Sequence, residues 1–104
     1  MKTLALLTSL LFFPLPSSAT VHTGNSFLRT LDGADQATKN ILNGYVAGLY
    51  DANERQLGVC IGENVNMSQL RDATALYFQN NPADRGYSVA DFFVRAIKKE
   101  WDCD

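Results

Sequence analysis

Histidine occurs once in this sequence of 104 residues, as His22, and cysteine twice, as Cys60 and Cys103. A Ser-His-Asp or Cys-His nucleophile needs a base held rigidly against it, and His22 stands in a stretch, residues 20–25, that reads as a loose leader to the first helix. There is no Cys-x-x-Cys for thiol exchange. Two distant cysteines with one remote histidine make a poor metal site. A glycine-rich phosphate loop is missing as well, since Gly44 and Gly48 fall inside a predicted helix. Asp51 and Glu54 are the closest approach to a carboxylate pair, but Arg55 lies within one helical turn, which predicts a surface ion pair rather than acid–base work. No catalytic residue, metal or cofactor is therefore expected, and the chain reads as a binding protein rather than an enzyme. Basic residues form no stripe, which argues against nucleic acid.

Long apolar runs are scarce too. The one candidate, Leu4 to Phe13, is interrupted by Thr8 and Ser9 and is about ten residues long where a spanning helix needs about twenty. Lys2 precedes it, Pro14 and Pro16 end it, and Ser17 and Ala19 stand three and one positions before Thr20. That is the pattern of a cleavable secretory signal over residues 1–19. No cysteine lies near residue 20 to carry a lipid anchor. Residues 20–104 are then expected as one exported domain that does not insert into a membrane, with a net charge of about −3 once Lys2 is removed. A domain of this size has a thin core and calls for a covalent staple. Export places Cys60 and Cys103 where a disulfide persists; it would close a loop of about 43 residues and contribute about 4 kcal/mol on the chain-entropy model.

Periodicity predicts an all-α fold, a small compact bundle of three long helices and one short helix. The short helix starts at Ser26, carries Phe27, Leu28 and Leu31, and stops at Asp32-Gly33. The second runs from about Asp35 to Asn53, with Ala37, Ile41, Leu42, Tyr45, Val46, Leu49 and Tyr50 as its apolar positions. Glycine costs about 1 kcal/mol in a helix interior, so Gly44 and Gly48 predict close approach by another backbone, the alternative being two tolerated glycines. Asn66 and Gln69 form a capping box for the third helix, which ends at Asn80-Asn81-Pro82 and turns Leu70, Ala73, Leu76 and Tyr77 inward. Ser88 caps the fourth, whose stripe is Val89, Phe93, Ala96, Ile97 and Trp101. Tyr87 before the cap can staple to Phe92.

Aromatics exceed the needs of a minimal core, and several come as neighbours, Tyr77-Phe78 and Phe92-Phe93 among them. Adjacent helical positions point about 100° apart, so one member of each pair faces the core and the other its flank, where aromatics suit interfaces. Tyr45, Tyr50, Phe78 and Phe92 are the candidates for such an interface.

The stretch Gly44-Tyr45-Val46-Ala47-Gly48-Leu49-Tyr50-Asp51-Ala52 resembles the central helix of the immunity proteins that neutralise type VI secretion amidase effectors. Cys60-Ile61 and Val65-Asn66-Met67-Ser68-Gln69-Leu70 look like that family's entry to the next helix. Tyr77 to Pro82, Ala90-Asp91 and Cys103 follow in the same order. The resemblance covers residues 25–104. It implies a periplasmic, helical, usually dimeric protein without catalysis, in which the Cys60–Cys103 pair is the family's disulfide. It also implies a partner, a cognate peptidoglycan amidase whose substrate cleft the protein blocks. The binding surface has no residue-by-residue match. On chemical grounds the loop from Asn80 to Tyr87 is the candidate: Arg85 and Tyr87 are types enriched at hot spots, and Asn80, Asn81 and Asp84 can pair with polar groups of a cleft. The alternative is a periplasmic acid-stress chaperone, since small helical chaperones of this size also carry one disulfide.

Overall fold

Side chains that take up free backbone amides mark the start of every α-helix among the described residues of the chain, which in a computed structural model are 22–58, 60–62 and 64–103. The expected signal, residues 1–19, lies outside them. Thr23 Oγ1 accepts from the Ser26 amide at 3.0 Å and opens α1, Gly24–Leu31. Asp35 Oδ1 accepts from the Thr38 amide at 2.9 Å and opens α2, Gln36–Leu57. Asn66 and Gln69 form the reciprocal capping box, at 2.9 and 2.8 Å, that opens α3, Met67–Asn80. Ser88 Oγ accepts from the Asp91 amide at 3.1 Å and opens α4, Val89–Trp101. Each cap satisfies a donor that the helix itself cannot.

α3 is the centre of the bundle. It packs against α1, α2 and α4, and Leu70, Arg71, Ala73, Thr74, Ala75, Tyr77 and Phe78 are all buried. Around it close Phe27 of α1, Leu42, Val46 and Leu57 of α2, and Val89, Phe93, Ala96 and Ile97 of α4. Among the described residues the fold is all-helical, with three long α-helices and one short one. Cys60 and Cys103 are joined by a disulfide, and the Cys60 amide donates to the Trp101 carbonyl at 2.8 Å. The connection after α2 is thus tied to the end of α4 by a covalent bond and a hydrogen bond together.

Several expectations give way. α2 continues past Asn53 to Leu57, which is buried, and stops only where Gly58 takes the left-handed conformation, φ 54°. Its buried stripe follows Leu42, Val46 and Leu57, with Leu49 half-buried, so Ile41, one position off that line, is 70% exposed and Ala37 is exposed as well. Among the described residues, a Cβ added at Gly44 or Gly48 would meet nothing within 4 Å beyond its own helix backbone; they are tolerated glycines on an open face. The glycine that does serve close packing is Gly24, where a Cβ would run into the Phe78 ring. Leu76 does not point inward but is 42% exposed, because the other sides of α3 are already covered. Asp51 and Arg55 form no ion pair; among the described residues the one salt bridge is Arg71–Asp72, at 3.0 Å. Nor is the segment before α1 loose, for a reason that concerns the candidate site.

Candidate binding surface

The chain from Asn80 to Ser88 links α3 to α4, and its polar side chains turn back onto α3. Asn81 Nδ2 donates to the Tyr77 carbonyl at 2.7 Å. The Arg85 guanidinium donates through Nε to the Phe78 carbonyl at 2.7 Å and through Nη2 to the Gln79 carbonyl at 2.9 Å. Three carbonyls in the last turn of α3 that lack helical partners are satisfied in this way. The Tyr77 hydroxyl donates to Asp84 Oδ2 at 2.7 Å. Burial, and then that bond to Asp84, raise the Tyr77 phenol above its ordinary pKa, while neighbouring Arg95 opposes them. The phenol therefore keeps the proton that it donates. Pro82–Asp84 forms a single 3₁₀ turn between these anchors.

The segment before α1 braces the loop from the other side. The Gly24 amide donates to the Tyr87 carbonyl at 3.0 Å and the Asn25 amide to the Arg85 carbonyl at 2.9 Å, while the Val89 amide donates to the His22 carbonyl at 2.8 Å. Thr23 and Ser88 form an isolated antiparallel bridge. These bonds hold residues 22–25 in place, which corrects the expected loose leader over those positions; residues 20 and 21 lie outside the described residues. The His22 ring packs against Tyr45 with centroids 4.8 Å apart.

The five loop candidates thus divide. Asn81, Asp84 and Arg85 fix the shape of the loop and are only half-exposed, whereas Asn80 is exposed and Tyr87 is 56% exposed. Arg85, whose residue type suits a partner, instead commits its guanidinium to α3. Tyr87 lies on Phe92, with ring centroids 5.3 Å apart, so the expected staple forms and the outer face of Tyr87 is left free. Phe92 also meets Tyr77 and Phe78, each at 6.3 Å, and the Arg95 guanidinium stands 4.9 Å above its ring.

The interface candidates divide as well. Phe78 is wholly buried in its own chain between Gly24, Tyr77 and Phe92, which removes it from any dimer contact. Tyr45, Tyr50 and Phe92 are half-buried. Tyr45 is partly covered by His22 and by Phe27, the latter at 6.4 Å. Ile41, one step off the buried stripe of α2, is not core but the most exposed large apolar side chain on that helix.

Among the described residues, no three His, Cys, Asp or Glu side chains gather where a metal could bind. No helix there is long and apolar enough to cross a membrane. What the site offers is a braced, polar turn ending in an exposed aromatic, a geometry for contact. No match to a curated protein or to a solved structure was found. Residues 23–103 match the sequence profile of the Rap1a immunity proteins, a span that runs from the cap of α1 through the second cysteine, and the chain belongs to that family.

Proposed function

We propose that this protein is the immunity partner of a type VI secretion effector, that the effector is a peptidoglycan amidase, and that the Asn80–Tyr87 loop enters its substrate cleft. Membership of an immunity family supports the first part. The observation that supports the last is the bracing of the loop: side-chain bonds from Asn81, Asp84 and Arg85, with backbone bonds from residues 24 and 25, fix it before any partner arrives. A preformed protrusion loses little conformational entropy on binding. Of the five side-chain candidates, Asn80 and Tyr87 are the ones left exposed to make contact. Inhibition of this kind needs no chemistry in the inhibitor.

The proposed site of action is the periplasm, reached by cleavage after Ala19, and the proposed domain is residues 20–104. A second copy is proposed to pack on α2, where Ile41 is exposed and Tyr45 and Tyr50 are half-buried. The test is protection. Cells that direct the cognate peptidoglycan amidase to their periplasm should lyse, and co-export of this protein should prevent it. Lysis that continues at full strength with the protein exported and folded would refute the reading. Ile41→Asp should halve the mass measured by light scattering; an unchanged mass would exclude α2 as the dimer face.

A further inference from the structure

The segment that braces the loop from outside α3, residues 22–25, is itself anchored through His22. The His22 carbonyl accepts from the Val89 amide at 2.8 Å. The His22 ring packs on Tyr45 of α2, and Tyr45 in turn lies against Phe27, which is wholly buried. Three rings therefore run from this strap into the core. Thr23 follows, opposite Ser88 in the isolated bridge, and then come the Gly24 and Asn25 amides, which donate to the Tyr87 and Arg85 carbonyls. An antiparallel contact of one bridge is too short to persist alone, so the strap needs an anchor at its N-terminal end.

The imidazole supplies that anchor by packing. Its Nδ1 atom is buried and, among the described residues, has no hydrogen-bond partner. A buried polar atom without a partner costs stability, so this nitrogen does not hold the ring in place. Contact with the Tyr45 ring, at 4.8 Å between centroids, does.

We propose that His22 is a positioning residue for the Asn80–Tyr87 loop. Its ring clips the strap onto α2, and the closed strap holds the Arg85 and Tyr87 carbonyls in the orientation presented to a partner. The loop is then braced from two sides by separate means. Asn81, Asp84 and Arg85 act through α3, and His22 acts through α2. The consequence for binding rests on the reading that this loop contacts an effector; the clip itself does not.

Amide hydrogen exchange of the exported protein, followed residue by residue, tests the clip. His22→Ala should speed exchange at the Gly24, Asn25 and Val89 amides by about fivefold to tenfold, while the Thr74 and Ala75 amides of α3 keep wild-type rates. His22→Phe keeps a ring and removes the unpartnered nitrogen, so the same three amides should be protected at least as well as in the wild type. Tyr45→Leu removes the other half of the contact and should reproduce the alanine pattern, and the double variant His22→Ala/Tyr45→Leu should add little to either single one. Unchanged exchange in His22→Ala, a loss of protection spread evenly through α3, or a His22→Phe variant that exchanges like His22→Ala would each overturn the clip. Calorimetric titration into the proposed peptidoglycan amidase partner, catalytically inactivated, then tests the consequence. His22→Ala should bind about fivefold to tenfold more weakly and His22→Phe like the wild type. Wild-type affinity in His22→Ala overturns the positioning role and leaves the effector reading standing. No binding by the wild type overturns the effector reading, and the exchange pattern still decides the clip.

Discussion

Arg85 separates two roles that its residue type confounds, and replacing it tests which one it plays. In Arg85→Ala the carbonyls of Phe78 and Gln79 lose the guanidinium that spans them at 2.7 and 2.9 Å. Hydrogen bonds from a charged donor contribute about 1.5–3 kcal/mol each. The bond to Phe78 is partly buried and should count in that range, whereas the bond to Gln79 is exposed and should add little. The expected loss is about 2 kcal/mol. In a domain of this size each kcal/mol moves the melting temperature by about 4–8 °C, so a drop of about 10 °C is predicted. Arg85→Lys keeps the charge but cannot span both carbonyls, and should recover part of the loss. Tyr87→Ala removes an exposed ring whose backbone carbonyl still holds Gly24, so it should melt near wild type while weakening effector binding. Thermal unfolding by circular dichroism, with urea unfolding as a check on unchanged m-values, reads all three. A shift below about 2 °C in Arg85→Ala would show that the guanidinium does not hold the loop, and the account of a braced protrusion would fail.

Three further outcomes follow from the same structure. Gly24→Ala should cost about 1–3 kcal/mol, because its Cβ must displace the Phe78 ring from a filled core; wild-type stability in urea would contradict that packing. Cys60→Ser/Cys103→Ser should cost about 4 kcal/mol through release of a loop of 43 residues, and a loss under about 1 kcal/mol would show that the bridge constrains little. The Thr38 amide holds the Asp35 carboxyl below its ordinary pKa of 3.8; the stability it contributes is complete above that value and is lost as pH falls through the lower, folded value. Asp35→Asn keeps the cap and should flatten that part of the acid-unfolding profile; an identical acid limb in both proteins would contradict the assignment.

Local signals in this chain were readable and tertiary ones were not. Asn66 with Gln69, and Ser88 before Val89, announce helices because a cap depends only on residues three apart. Tyr87 and Phe92 meet for the same reason. Gly24 carries no such mark: the ring it accommodates belongs to Phe78, on another helix, and the more conspicuous Gly44 and Gly48 face open space. Ile41 and Leu76 are apolar and helically spaced, and only the packing decides that α2 turns on Leu42 and that α3 leaves Leu76 exposed. The loop was found as a segment, but the division of labour within it was not. Arginine is equally suited to a partner's carboxylate and to its own helix end, and the choice depends on where Phe78 and Gln79 present their carbonyls.

The central claim is that a preformed surface stops an enzyme by occupying it. Titrating this protein into a fixed amount of the proposed amidase partner, with hydrolysis of a peptidoglycan stem peptide followed at each step, tests that claim directly. Activity should fall in proportion to added protein and vanish at a fixed stoichiometry, with both proteins recovered chemically unchanged. Full activity at excess, or inactivation by trace amounts through turnover, would contradict it.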